Sequence, residues 1–220
     1  MKEEVKLIEC ITTWQGEGPD SGNYMLLARF KKCQLSCSYC DTKVRMRNSV
    51  NGIFKFNDLQ KAIDRIAGGL LITGGEPTLY NNDVANMLIN LHYSIANVET
   101  NGYKLGELAL QIPRDLNVKF IHSPKIDIKN QYDPIEDYIL NDERIYIKLV
   151  IDKFDLAIDS LNQQFLLKLI IAGFPTHKIY LMPKGISFNE LRGNSAVVFD
   201  IAEKYKCNIS SRLHLIYNFI

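Results

Sequence analysis

The sequence predicts an α/β fold built on a parallel β/α barrel, and three observations carry that prediction. From residue 70 onward, apolar runs of strand length alternate with helical patterns, the order that helical crossovers between parallel strands produce. Turn-forming and polar residues recur just after those strands, as Gly74-Gly75-Glu76-Pro77, Thr100-Asn101-Gly102, Ser123-Pro124-Lys125 and Pro183-Lys184-Gly185. Three cysteines within eight residues, Cys33-Gln-Leu-Ser-Cys37-Ser-Tyr-Cys40, follow an earlier strand pattern and obey the same rule. In a parallel barrel the strand C-termini open on one rim, where active sites are built, so motifs scattered over the chain are expected to converge there. A doubly wound open sheet is the alternative, although its Gly-x-Gly-x-x-Gly fingerprint is missing.

The elements follow in order. Residues 5–13 are rich in β-branched and apolar types and read as a first strand, with Cys10 packed inside it. Trp14-Gln15-Gly16-Glu17-Gly18-Pro19 is a turn in which an amide and a carboxylate alternate with glycines, so that backbone can approach a ligand while Gln15 and Glu17 point at it. Residues 24–30 form the next strand. Arg29 is odd in that apolar run, since a buried guanidinium needs an anionic or carbonyl partner, and Glu17 or a substrate carboxylate is expected to supply it. Residues 43–57 are polar and basic and read as a loop. Residues 58–67 read as a helix with Leu59, Ala62, Ile63 and Ile66 on one face, ended by Gly68-Gly69. Strands are expected at 70–73, 95–99, 118–121, 144–151, 178–182 and 207–210, and helices at 82–91, 155–171 and 188–204. With no repeat, linker or low-complexity segment, the reading is one domain over residues 1–220.

Composition narrows the class. A chain of 220 residues with 46% apolar content and a net charge of +1 is large enough for a proper core and gives no electrostatic case for nucleic acid. The N-terminus lacks the apolar stretch of a signal peptide and no apolar run has membrane-spanning length, so a cytoplasmic protein without a membrane partner is expected. In that reducing compartment clustered cysteines serve as metal ligands or catalysts more often than as disulfides.

The count of three is informative, because a structural zinc site or an ordinary iron-sulfur cluster takes four protein ligands, and Cys10 and Cys207 lie far off in the chain. One metal position is left open, which marks reactive rather than structural sites. A zinc knuckle borrowing a histidine is the structural alternative, but none of the four histidines has finger spacing to the cysteines. His92, His122 and His177 read as structural or exposed. Tyr39, just before the last cysteine, is placed to lie against a planar ligand at the open position. An electron-transfer module would be expected to carry four cysteines.

This Cys-x3-Cys-x-aromatic-Cys pattern resembles the radical S-adenosylmethionine (SAM) enzymes. With Gln15-Gly-Glu-Gly18, Cys40-Asp-Thr42, Gly74-Gly-Glu-Pro77, Glu99-Thr-Asn-Gly102, Ser123-Pro-Lys125, Leu181-Met-Pro183 and Leu213-His214, the chain resembles more narrowly the 7-carboxy-7-deazaguanine synthase family within them. The resemblance implies a partial, open parallel β/α barrel of the radical SAM type. It implies a 4Fe-4S cluster on Cys33, Cys37 and Cys40, and SAM held by Ser38, Tyr39, Gly75, Glu76, Ser123, Pro124 and Lys125, with Glu76 accepting from the SAM ammonium. Cleaved SAM would give a 5′-deoxyadenosyl radical that starts the ring contraction of 6-carboxy-5,6,7,8-tetrahydropterin, with loss of ammonia. Trp14, Gln15, Gly16, Glu17, Arg29, Thr73, His214 and the carboxylate of Ile220 are the implied substrate contacts, and Thr42 the implied Mg2+ ligand. An electron donor such as flavodoxin and a homodimer complete the implied partners. A glycyl-radical-activating SAM protein, acting on a large protein, is the alternative enzyme.

Overall fold

The computed structural model describes residues 3–37, 40, 42, 52–66, 68–126, 136–157 and 160–219. Ser38, Tyr39 and Ile220, and residues 43–51 of the expected loop, lie outside the described residues. The chain divides into two compact units, Met1–Gln15 with Asn23–Phe120, and Gly16–Gly22 with Ile121–Ile220.

In the first unit the single strand expected at 5–13 is two. β1 (Glu4–Leu7) pairs antiparallel with β4 (Gly52–Lys55), while β2 (Glu9–Trp14) pairs antiparallel with β3 (Tyr24–Phe30). The break falls at Ile8, whose N–H donates to the Arg29 carbonyl at 2.9 Å. The run from 5 to 13 carries no glycine, proline or other turn signal there; what changes is the pairing partner, which periodicity does not report. β4 likewise lies in what the sequence reads as loop.

β3 runs parallel to β5 (Gly69–Gly74), and β5 parallel to β6 (Ile95–Thr100). β3 and β5 are apolar almost without interruption, as strands buried on both faces must be. Met25, Leu27, Leu71 and the flanking Ile95 pack on one face. The crossovers are α1 (Phe56–Arg65), α2 (Asn81–Asn90, after a 3-10 turn at Pro77–Tyr80) and α3 (Leu105–Gln111). Each buries an apolar stripe: Leu59 and Ile63, then Val84, Met87 and Leu88, then Leu105 and Leu108. α3 escapes the sequence pattern because Gly106 interrupts it and its start follows Lys104 in the left-handed region, φ 52°.

β7 (Val118–His122) carries the chain from the first unit into the second, and α4 (Asp137–Asn141) follows. In the second unit β8 (Ile145–Ile151), β9 (Ile179–Pro183) and β10 (Asn208–Ile209) pair in parallel, with Lys148 opposite Tyr180. The helix expected at 155–171 is instead a 3-10 turn, Lys153–Leu156, and α5 (Leu161–Ile171). Asp152 and Asp155 cap the turn reciprocally, and Ser160 accepts from the Gln163 N–H at 3.1 Å, so each piece has its own N-cap. α6 (Phe188–Tyr205) starts with a Ser187–Glu190 capping box. α7 (Leu213–Ile216) places His214 on a helix.

The fold class is α/β on parallel strands, as the alternation predicts. Among the described residues β2 pairs only with β3 and β10 only with β9. No helix among the described residues is long and apolar enough to cross a membrane.

Candidate active site

β3 delivers the chain to the cysteine loop, and the Gly74-Gly75 turn at the end of β5 is bonded to that delivery. Gly75 N–H donates to the Phe30 carbonyl at 3.0 Å and Glu76 N–H to the Lys32 carbonyl at 2.7 Å. A Cβ on Gly75 would collide with the Lys32 carbonyl and lie 2.9 Å from the Cys33 nitrogen, and one on Gly74 (φ +138°) would collide with Phe30 backbone. Any side chain here would push the loop away, so these glycines are required by close approach. Tyr80 supports the same stretch, its ring stacked on Phe30 at 4.7 Å and its hydroxyl accepting from the Lys32 N–H at 3.1 Å.

Cys33 is exposed, Cys37 buried and Cys40 half-buried. Among the described residues no three His, Cys, Asp or Glu side chains are gathered closely enough to hold a metal ion. Metal sites are rarely formed before the metal arrives, and three thiols on one loop match the donor set of a cluster with one open iron. The surroundings fit as well. Cys33 Sγ accepts from the Leu35 N–H at 3.4 Å and from Asn101 Nδ2 at 3.8 Å, donors of the kind that temper thiolate charge on a cluster. Asn101 is itself held, its Oδ1 accepting from Gln34 Nε2 and from the Tyr103 N–H, both at 3.1 Å. Cys10 and Cys207 are set apart chemically: burial pushes each thiol up to about 11, so both stay protonated.

The Glu76 carboxylate, which the sequence offers to an ammonium, is wholly buried and turned into the protein. Its Oε1 accepts from the Thr78 N–H (3.0 Å), Thr78 Oγ1 (2.8 Å) and Thr100 Oγ1 (2.6 Å), and its Oε2 from the Asn101 N–H (2.7 Å). Burial pushes this carboxyl upward, with the donors from Thr100, Asn101 and Thr78 working against that rise. Glu76 thus ties the end of β5 to the end of β6. Thr42, half a turn of sequence beyond Cys40, donates its hydroxyl proton to the Gly74 carbonyl at 3.2 Å, which leaves the oxygen oriented as a lone-pair donor.

Gln15 is buried, and its Nε2 donates to Asn97 Oδ1 and Glu99 Oε1, both at 3.2 Å. The amide is therefore oriented, nitrogen toward β6 and oxygen away from it. Arg29 does not pair with Glu17. Its Nε donates to Glu9 Oε2 at 2.6 Å, because antiparallel β2 sets Glu9 directly opposite it. Thr73 lies opposite Arg29 on β5, half-buried, and Trp14 is exposed beside Tyr24, ring centroids 4.9 Å apart.

In the second unit Glu17 sits among cations. Lys148 Nζ donates to its Oε2 at 2.7 Å and Arg212 Nε to its Oε1 at 2.9 Å, with His214 Nε2 3.9 Å from Oε1. Burial alone would raise the carboxyl, but Lys148, then Arg212 and His214, outweigh it and hold Glu17 well below the usual carboxylate range. Gly16 is required here, since a Cβ on it would lie 2.5 Å from His214 Nδ1. Lys125 Nζ donates to the Ser123 carbonyl at 2.7 Å and meets Ser123 Oγ at 2.8 Å, next to the buried Pro124. His122 is wholly buried with no hydrogen bond to either ring nitrogen among the described residues, and burial, then Lys125, pushes it down to about 3, so the ring is neutral.

Sequence reasoning missed Lys148 and Arg212 as partners of Glu17, and Asn97, Glu99 and Asn101 as the groups that orient Gln15 and address Cys33. Lys148 had a signal of the same kind as Arg29, a lone cation inside the apolar run IYIKLVI.

Residues 15–133 match the family described as 4Fe-4S single cluster domain. The chain is similar to the 7-carboxy-7-deazaguanine synthase of Hyperthermus butylicus, 27% identical over 227 residues that cover 96% of this chain and 92% of that protein. It is similar to that of Pyrobaculum aerophilum, 22% identical over 96% of this chain and 93% of the relative. The namesake of Methanospirillum hungatei is 35% identical over a shorter stretch, 44% of this chain and 42% of that protein. The crystal structure of QueE from Escherichia coli superposes with a TM-score of 0.65 at 20% identity, over 94% of this chain and 93% of that one, a likeness of fold.

Proposed function

The chain belongs to the family of 4Fe-4S single cluster domains, and from that premise we propose that it is a radical SAM lyase converting 6-carboxy-5,6,7,8-tetrahydropterin to 7-carboxy-7-deazaguanine with release of ammonia. The observation that carries the reading is the end-to-end likeness to 7-carboxy-7-deazaguanine synthase of Hyperthermus butylicus, which takes in both the cysteine loop and the Gln15-Gly-Glu17 turn. The geometry supports it at two places: a glycine turn bonded to the approach to Cys33, and a carboxylate held ionised at Glu17.

Cys33, Cys37 and Cys40 would hold the cluster, which when bound supplies the electron that cleaves SAM. The Gly75 and Glu76 backbone, with Ser38, Tyr39, Ser123, Pro124 and Lys125, forms the SAM contacts. Lys125 is a cation for the SAM carboxylate, prepared by its bonds to Ser123. Gln15 Oε1 and the Glu17 carboxylate accept from N–H donors of the pterin, and Trp14, Gly16, Thr73 and His214 line its place. Arg29 remains the cation assigned to the substrate carboxylate, working with Glu9 as its fixed partner. Thr42 contributes a hydroxyl oxygen to Mg2+, a hard ligand suited to that ion. The protein works as one catalytic domain in the cytoplasm, as a homodimer, with flavodoxin or a like protein as reductant.

The test is mass spectrometry of the reduced, cluster-loaded protein incubated with SAM and the carboxy-tetrahydropterin. Appearance of 7-carboxy-7-deazaguanine is expected. Formation of 5′-deoxyadenosine without that product refutes the substrate, and absence of both refutes the enzyme class.

A further inference from the structure

Two cations beside Glu17 in the second unit, Lys148 and Arg212, are left without a task by the assignments above. Lys148 stands in the middle of β8 between Ile147 and Leu149, which are both wholly buried, and is itself only 4% exposed. Arg212 is 7% exposed. Taking such ions out of water costs several kcal/mol each, and well-packed apolar residues in their place are often at least as stable. Stability alone therefore gives no reason for two buried cations on one carboxylate.

Their geometry gives one. Lys148 and Arg212 bond different oxygens of Glu17, one each, from different elements. The backbone on either side is fixed too: the Gly16 carbonyl accepts from the Leu213 N–H at 3.0 Å, and the Gly18 N–H donates to Ser210 Oγ at 2.8 Å. Arg212 is anchored in turn by Nη1, which donates to the Gly185 carbonyl. The carboxylate is thus pinned in position and in charge. An ionised carboxylate only accepts, through about four lone-pair sites. A protonated one presents an O–H donor, which would oppose another donor.

Resting on the pterin reading above, we propose that Lys148 and Arg212 are positioning residues that hold Glu17 as an oriented, acceptor-only carboxylate, and so select a ring bearing adjacent N–H and NH2 donors, the 2-amino-4-oxopteridine edge, over a 2,4-dioxo ring. Among the described residues, the groups that face Glu17 include Lys148 from β8 and Arg212 and His214 from the segment around α7. Without Lys148, burial acts against a weaker cation set and the carboxyl takes up a proton at higher pH.

The test measures binding of two probes, 6-carboxypterin and 6-carboxylumazine, to the cluster-loaded protein between about pH 5.5 and pH 8, with an infrared titration of Glu17 assigned by subtraction of the Glu17→Gln spectrum. Wild type should prefer the pterin by at least about tenfold at every pH, since the lumazine sets a carbonyl against the carboxylate. In Lys148→Met the preference should collapse on acidification, with pterin affinity falling up to about tenfold per pH unit below the new pKa, and the infrared carboxylate band should convert to the protonated form in that range. Lys148→Arg should restore both. An unchanged preference and infrared titration in Lys148→Met overturns the proposal. So does a loss of both probes, equal at all pH and not rescued by arginine, which is what a merely structural lysine gives. If wild type binds neither probe, the pterin reading fails instead; the infrared arm, which involves no probe, still tells whether Lys148 controls the charge on Glu17.

Discussion

Replacing Glu76 is expected to unfasten the cysteine loop's support before it touches any ligand contact. Glu76→Ala strands the Thr78 and Asn101 N–H groups and the two threonine hydroxyls that now donate to the carboxylate. A buried donor left unmet costs about 1–3 kcal/mol. The hydroxyls can rotate toward other acceptors, as Thr78 Oγ1 already does toward the Tyr103 carbonyl, so the two backbone donors set the floor. With the cavity left by the missing side chain, the loss should be about 3–5 kcal/mol, a large part of the roughly 5–15 kcal/mol that holds a domain folded. Glu76→Gln keeps the shape but turns one acceptor into a donor, and about 1–3 kcal/mol should go. The assay is urea unfolding of the cluster-free protein followed by far-UV circular dichroism, with cluster uptake measured separately by visible absorbance. Because Asn101 also donates to Cys33 Sγ, uptake should fall with stability in both variants. A loss below about 1 kcal/mol in Glu76→Ala, or equal losses in the two variants, would refute the reasoning.

Cys37→Ala should abolish the brown cluster absorbance and SAM cleavage, whereas Cys207→Ala, whose thiol is half-buried and protonated, should leave both intact; equal loss in the two would remove the three-cysteine assignment. Mg2+ should raise turnover in wild type and do so much less in Thr42→Ala, and an unchanged metal response would move the ion elsewhere. Glu99→Gln lets the Gln15 amide face a competing donor and should weaken pterin binding about tenfold, the size of one lost hydrogen bond, without changing cluster uptake; unaltered binding would show that Gln15 is oriented by other means. His122 is lowered from 6.5 to about 3 on folding, so between those values the unfolded chain binds a proton that the folded chain refuses. Stability should therefore fall as pH drops through that window, by up to about 1.4 kcal/mol per unit, and His122→Leu should flatten that fall in acid-unfolding curves.

The parallel units were legible because burial on both faces leaves an almost unbroken apolar run, as in β3 and β5, and because the crossover helix α1 shows its stripe. The sequence misleads in two ways, through partners far away in the chain and through caps inside an apolar pattern. Residues 5–13 look like one strand because nothing local marks the point where pairing passes from β4 to β3. The helix expected at 155–171 divides because Asp152 and Asp155 cap one piece and Ser160 the next, and capping residues inside an apolar pattern are easily read as its polar face.

The same division runs through the site. The cysteines announce themselves by number and spacing, since ligand chemistry needs little beyond the residue type. The charged residues do not, because a carboxylate in a motif can face a ligand or its own scaffold, and only its neighbours decide. Glu17 and Glu76 are both flanked by glycine and proline-containing turns, and in sequence they look alike. One meets Lys148 and Arg212, whose charges hold it ionised; the other meets hydroxyls and backbone N–H groups that satisfy it inside the protein. Arg29 shows the converse. Its need for an anion is evident from its place in an apolar strand, yet the anion is Glu9, identified only once β2 is known to run antiparallel in a register that sets the two opposite each other. A buried charge thus states in the sequence that it has a partner, while the partner's identity is a property of register, which is why Lys148, visible as an anomaly in β8, could be assigned to Glu17 only in three dimensions.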